Sequence, residues 1–194
     1  MRIRYVIARY QEDISWANGV PNCIIYNKSD SLLHTIHPVI SLPNVGREGH
    51  TYLHHIITNY DKLDDHIVFL QGNPFDHSSN LEYKLKSIDK RIYNEHQTIF
   101  FEYISEIIHN TNIQTDFPLM LPCYYILYGG EKTYELCHKN ETFPFGAGAQ
   151  FIVSKENILS HPKSFYEKMI KLLDYDSNPL EGHAIERLWY KLLH

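Results

Sequence analysis

The stretch HIVFLQGNPFDH, residues 66–77, decides the fold. Its first half is a continuous apolar run without alternation, and such runs are typical of central strands that are covered on both faces. The chain then bends through Gly72 and Pro74 and presents Asp76 beside His77. We therefore predict a buried strand that ends in a tight turn carrying a carboxylate.

The segments before this stretch predict a strand, helix, strand order. A helix is indicated by apolar residues at 52, 53, 56, 57 and 60, with Asn44 or Gly46 just ahead as a start signal. Strands are predicted at 3–9, 22–27 and 37–42. Alternation of this kind is typical of a parallel sheet covered by helices on both faces.

The rest of the chain is less regular. Apolar spacing predicts helices over 81–92, 164–174 and 181–193, and a glycine-rich turn leads into a strand at 150–154. Residues 97–109 fit either a helix or a strand, and residues 118–130 are predicted to be irregular or extended. The fold class predicted is α/β, a single domain over 1–194 with a mixed, mainly parallel central sheet flanked by helices.

Composition excludes several classes of protein. Hydrophobic residues make up 43% and charged residues 21%, which argues against disorder, and the net charge of −5 argues against non-specific nucleic-acid binding. Three cysteines lie far apart without a CxxC pair, as in reduced intracellular proteins. Since no window approaches the ~20 apolar residues of a membrane span, we expect a cytoplasmic protein, in the host cytoplasm if the chain is viral.

Charged and polar residues follow the predicted strands. In open α/β sheets, ligands bind beyond the carboxyl ends of the strands, so these positions are candidates for a binding site. Loops are polar in any case, and surface exposure alone explains about half of such positions. The candidates are Arg9, Tyr10, Glu12, Asp13, Lys28, Gln71, Gly72 and Asp76.

The segment VGREGH, residues 45–50, lies where the predicted helix begins. A helix N-terminus offers free N–H groups and a positive dipole end, both suited to phosphate, and Arg47 adds a planar fork of donors. Gly46, Arg47 and Glu48 are therefore candidate contacts to a phosphate. The segment is neither a P-loop nor GxGxxG, and a surface ion pair of Arg47 is the alternative.

Asp76 has two interpretations. A carboxylate on a turn after a central strand suits a hard divalent cation, which takes oxygen ligands and bridges phosphates. The alternative is an aspartate that caps the next helix.

Near the C-terminus, EGHAIERLW at 181–189 places His183, Glu186 and Arg187 on one helix face. Ile185 and Trp189 are expected to pack on the core from the opposite face. The polar face is either exposed to solvent or closes a site, with a metal ligand, a general base and an orienting cation. No HExxH or GxSxG motif is present, so the sequence gives little support for a hydrolase.

Several stretches together carry a family resemblance. The chain resembles a family of glycosyltransferase-like domains, mostly of unknown function, that includes the N-terminal glycosyltransferase domain of a multidomain chlorella-virus protein. The stretches are VIARYQEDISW (6–16), IYNKSD (25–30), 42–77, GAQFIVSKENILSHPKSFY (148–166) and HAIERLW (183–189).

The resemblance implies a GT-A fold that binds a nucleotide sugar with Mn²⁺ or Mg²⁺. It implies that the donor meets Arg9, Glu12, Asp13, Lys28, Gly46, Arg47 and Glu48. It also implies that Asp76 and His183 bind the metal and that Glu186 is the base for an acceptor hydroxyl. In this sequence N-x-x-D (73–76) stands where the family carries D-x-D.

The function expected is transfer of a sugar from a nucleoside-diphosphate donor, such as a UDP-sugar, to a glycan or another hydroxyl acceptor. A base at Glu186 would make the enzyme inverting, although a retaining enzyme can use the same fold. One alternative is a nucleotide-sugar-binding module without strong catalysis, as one part of a larger chain. Another is a different α/β nucleotide-dependent enzyme, such as a nucleotidyltransferase or phosphatase.

Overall fold

A six-stranded mixed sheet forms the centre of the computed structural model, which describes residues 1–31 and 33–194. The strands are β1 (Ile3–Arg9), β2 (Cys23–Asn27), β3 (Val39–Ser41), β4 (His66–Gln71), β5 (Phe101–Tyr103), β6 (Ile108–Asn112), β7 (Thr142–Gly146) and β8 (Phe151–Ser154). The order in the main sheet is β3-β2-β1-β4-β8-β5. The first four strands run parallel, and β8 is antiparallel to both β4 and β5. The mixed, mostly parallel α/β sheet predicted from the sequence is confirmed.

Helices cover both faces of this sheet. They are α1 (Arg47–Asn59), α2 (Leu81–Asp89), α3 (Met120–Tyr128), α4 (Gly130–Lys139), α5 (Lys155–Leu159), α6 (Lys163–Ile170) and α7 (Leu180–Leu193). Short 3-10 turns at Ser15–Gly19 and Pro74–Asp76 follow β1 and β4. Among the helices of 1–31 and 33–194, none is long and apolar enough to cross a membrane.

Side chains of the central strands enter two cores because successive residues point to opposite faces. In β4, Phe69 packs with Tyr52 of α1 and Trp189 of α7, whereas Val68 and Leu70 belong to the core on the side of α2. Every residue from His66 to Leu70 is buried. A strand with apolar residues on both faces requires this double cover, as the run at 66–70 predicts.

In the middle region, the strand alternative for residues 97–109 is confirmed, whereas the prediction for residues 118–130 is wrong. Residues 97–109 contain β5 and the start of β6, which pairs with β7 in a separate two-stranded sheet. Residues 120–128, predicted to be irregular or extended, form α3. Pro122 lies in the first turn of that helix, where its missing N–H has no intrahelical partner to lose.

Candidate functional site

A polar cavity of about 390 Å³ lies beyond the carboxyl ends of β1 and β4. From β1 the chain continues to β2 and β3 on one side, and it returns to β4 on the other side. This is a switch point of strand order, where open α/β sheets bind their ligands. The topology therefore puts the cavity at the position that a binding site occupies in this fold class.

The cavity brings together nine of the residues that the sequence suggests. They are Arg9, Tyr10, Glu12, Lys28, Arg47, Glu48, Gln71, Gly72 and Asp76. Ala8, Asn44, Asn73 and Ser177 complete the lining. Asn44 and Asn73 flank motifs already singled out, but Ser177 lies in the loop before α7, far along the chain, and carries no sequence signal.

Arg9 is held by the protein itself. Its guanidinium is buried and donates to the Glu12 carbonyl at 2.9 Å and to Asn27 Oδ1 at 2.7 Å. Glu12 Oε2 accepts from the Tyr10 N–H at 2.7 Å. A Cβ on Gly72 would lie 2.5 Å from the same oxygen, so any larger residue there would displace the Glu12 carboxylate. Arg9 and Glu12 thus shape the loop after β1.

Lys28 joins β2 to the start of α1. Its buried ammonium donates to the carbonyl of Val45 at 2.5 Å and to the carbonyl of Arg47. Burial lowers the pKa of Lys28 to about 8, and the nearby Glu48 carboxylate partly opposes that change. Lys28 therefore contributes positive charge to the cavity wall while it fixes the segment 45–47.

Two N–H groups at the beginning of α1 already donate to acceptors of the protein. The N–H of Gly46 donates to the Asp176 carbonyl at 2.7 Å, and that of Arg47 donates to the Ser177 carbonyl at 3.3 Å. Gly46 and Arg47 have positive φ values of 64° and 52°. The loop before α7 accepts from both N–H groups, so neither is a free donor for a phosphate in this structure, and the phosphate contacts of Gly46 and Arg47 remain predictions. Gly46 is accordingly outside the cavity lining.

Arg47 is the centre of a charged cluster behind the cavity. Its guanidinium lies 2.5 Å from His183 Nδ1, 3.7 Å from Glu48 Oε2 and 3.9 Å from Glu186 Oε2. The two carboxylates are 10% and 9% exposed. Burial raises the pKa of Glu48, although Arg47 opposes the increase. Arg47 therefore compensates two buried acids while it lines the cavity.

Glu186 faces inward from α7, not toward solvent. Its Oε1 accepts from the Gly148 N–H at 2.8 Å, so the carboxylate holds the loop between β7 and β8. Gly148 packs against the ring of His77, where a Cβ would collide. Neither Glu186 nor His183 is among the residues that line the cavity. Their assignments as base and metal ligand remain predictions.

Asp76 differs from the other acids of the cavity. It is exposed, and among the described residues it makes no hydrogen bond or ion pair. No side-chain cap is formed at the start of α2, so the alternative of a capping aspartate is not what this structure contains. Asp76 also borders a smaller cavity of about 100 Å³ that includes Glu106 and His109.

The fit of this site to a divalent cation depends on Asp76. Within 1–31 and 33–194, no group of three or more His, Cys, Asp or Glu side chains is placed to hold a metal ion. The hydrogen bond from Arg47 to His183 would put a guanidinium beside any cation bound there. Asp76 suits Mg²⁺ or Mn²⁺ as one carboxylate ligand, since Mg²⁺ sites are commonly completed by water and substrate phosphates.

Asp13 lies outside the cavity lining. Its carboxylate accepts from the N–H of Ser15 at 2.9 Å and from the Ser15 hydroxyl at 3.0 Å. It therefore starts the 3-10 turn after β1. Of the predicted donor-binding residues, only Asp13 and Gly46 are not brought into the lining.

Comparison with known proteins gives one match. Residues 5–96 match the family model described as "Protein of unknown function (DUF3431)", just under half of the chain. The matched segment contains β2, β3, β4, most of β1 and every cavity-lining residue except Ser177. No curated protein and no solved structure matches the chain.

Proposed function

We propose that this protein is a glycosyltransferase with a GT-A-like fold that transfers a sugar from a nucleoside-diphosphate donor to an acceptor hydroxyl. One observation carries the proposal: nine residues selected from the sequence for donor and metal binding line a single cavity at the switch point of the sheet. Its volume of about 390 Å³ lies in the range of small-molecule sites.

The charges around the cavity explain why a cation would be required. Arg9 and Lys28 are engaged by protein acceptors, and the remaining positive side chain, Arg47, already lies near the carboxylates of Glu48 and Glu186. A diphosphate brings more negative charge than one guanidinium offsets. A divalent cation at Asp76 would supply the remaining neutralisation as the nucleoside diphosphate leaves.

The small cavity beside Asp76 is the proposed entrance for the acceptor. It adjoins the donor cavity at Asp76 and carries Glu106 and His109, which are polar groups suited to a hydroxyl-bearing molecule. Glu106 Oε1 accepts from the Ser79 hydroxyl at 2.7 Å and from the Asn80 N–H at 3.0 Å. That carboxylate is therefore held in place beside the cavity.

A second candidate function is a nucleotide-sugar-binding module without strong catalysis. The position of Glu186 favours it, because the predicted base binds the Gly148 N–H and lies outside the cavity lining. Donor hydrolysis and sugar transfer, measured with Mn²⁺ and a panel of acceptors, distinguish the two functions. Tight donor binding without turnover would leave the binding module and reject the enzyme.

Donor binding is tested by thermal shift and calorimetry with a panel of nucleotide sugars, with Mn²⁺ or with EDTA. We expect one donor to stabilise the fold in a Mn²⁺-dependent way, by about 2.7 kcal/mol at a hundred times Kd. Asp76→Asn should lose the Mn²⁺-dependent part. The control is Asp30→Asn, an exposed acid outside the cavity. Equal Mn²⁺-dependent binding by Asp76→Asn and the control would refute the assignment of Asp76.

A further inference from the structure

A second cavity, of about 410 Å³, lies on the face of the sheet that α2 covers. It opens between the 3-10 turn Ser15–Gly19 and helix α2. It is separate from the switch-point cavity in its lining, and no part of the proposed function uses it. Its volume is sufficient for a small organic molecule.

Two aromatic side chains form a corner of this cavity. The rings of Trp16 and Phe75 have centroids 5.9 Å apart and planes at 82°. Phe75 lines the cavity and is 43% exposed. Leu81 and Leu85 extend the apolar wall. An aromatic ring carries negative charge on its π face and positive charge at its edge, so a π face is the part of this corner that suits a cation.

A carboxylate completes the lining. Asp89 Oδ1 accepts from the Tyr5 hydroxyl at 2.7 Å, and Asp89 forms no ion pair with any residue of 1–31 or 33–194. The other acid, Glu82, is paired with Lys86 at 2.6 Å. The charged lining residues therefore sum to one negative charge, and that charge belongs to Asp89.

We propose that this cavity binds an organic cation, an ammonium that carries apolar substituents. Aromatic faces attract such cations through their quadrupoles, and the attraction increases when the cation is desolvated. The Asp89 carboxylate supplies the opposite charge, and the apolar wall receives the substituents. A neutral ligand of the same shape would gain only the apolar contacts.

Choline and 3,3-dimethyl-1-butanol are the probes, because they share a shape and differ in the charge of one central atom. Binding is measured by calorimetry and by Trp16 fluorescence. We expect choline to bind about tenfold more tightly than the alcohol, which corresponds to about 1.4 kcal/mol. Asp89→Asn should remove this preference. Glu82→Gln should retain it, because Glu82 is 84% exposed and already paired.

Each outcome decides the proposal. A preference for choline that Asp89→Asn abolishes and Glu82→Gln preserves supports it. Equal binding of both probes overturns the proposal. Absence of binding by both probes, at concentrations 100-fold above the Kd range of a weak site, also overturns it. A melting temperature of Asp89→Asn near that of the wild type shows that this variant is folded. If Asp89→Asn melts early, Asp89→Glu is measured in its place, and it should keep the preference for choline because it keeps the charge.

Discussion

The two cavities have no lining residue in common, and they are built on different principles. The switch-point cavity has six charged lining residues, and three of them, Arg9, Glu12 and Lys28, bind the protein's own backbone. The cavity beside α2 is mainly apolar, and its one uncompensated charge is Asp89. The segment from Gly72 to Asp76 contributes to both, through Phe75 on one side and Asp76 on the other.

Charged side chains have different roles in the two cavities. In the polar cavity, Arg9 and Lys28 fix loops at the ends of β1 and β2, so the shape of the cavity depends on them. In the apolar cavity, shape comes from packing, and Asp89 is left to select a ligand. We therefore expect backbone changes to damage the first cavity more than the second.

Alanine substitutions at two glycines test this expectation, and the largest change in the free energy of unfolding is expected at Gly46. A Cβ on Gly46 would lie 2.7 Å from Leu173 Cβ and 2.8 Å from the Leu173 carbonyl oxygen, at a φ of 64°. Gly46→Ala should lower the free energy of unfolding by about 3 kcal/mol, since backbone must move. At Gly19, on the rim of the second cavity, a Cβ would meet no described atom within 4 Å.

Gly19→Ala is accordingly the matched control, and it should change the free energy of unfolding by less than about 0.5 kcal/mol. Both are measured from urea denaturation. Similar losses at the two positions would contradict the view that the polar cavity alone depends on close backbone packing.

The parallel half of the sheet was predictable because its strands are continuous apolar runs. The run at 66–70 is apolar on both faces, and only a central strand satisfies it. The insertion of β8 between β4 and β5 could not be predicted, since antiparallel pairing joins residues far apart in sequence. Helix α3 was missed because its apolar residues do not form one stripe and Pro122 lies within it.

The location of the switch-point cavity was more predictable from the sequence than the roles of the residues that surround it. The rule that ligands bind at strand ends selected seven lining residues, and the predicted start of α1 added Arg47 and Glu48. It did not reveal which donors and acceptors are already satisfied by the fold. The Asp176 and Ser177 carbonyls that cover the start of α1 come from a distant loop. The inward position of Glu186 depends on its hydrogen bond to Gly148, which no spacing rule contains.

The contribution of Lys28 to the free energy of unfolding is intermediate in size, and it depends on pH. Its pKa is about 8 in the folded protein and about 10.5 when unfolded. Between these values the unfolded state binds more protons, so stability rises with pH. From pH 7.5 to 10, the wild type should gain on the order of 2 kcal/mol relative to Lys28→Met.

The comparison with Lys28→Met cancels the tyrosines, whose raised pKa values act on both proteins alike. Urea midpoints at four pH values measure the gain. Parallel stability curves for the two proteins would show that the fold does not depress the pKa of Lys28, and the polar cavity would then hold a more hydrated ammonium.

The smallest effect belongs to the residue that joins the two cavities. The indole N–H of Trp16 donates to the Gly72 carbonyl at 3.0 Å, while its ring packs against Phe75. Trp16→Phe removes the hydrogen bond and keeps an aromatic wall, so we expect a loss of about 1 kcal/mol in the free energy of unfolding. Choline affinity should stay within about threefold, because a phenyl ring also binds cations. A large loss of choline binding with unchanged stability would instead mean that the indole contacts the ligand and that its bond to Gly72 is incidental.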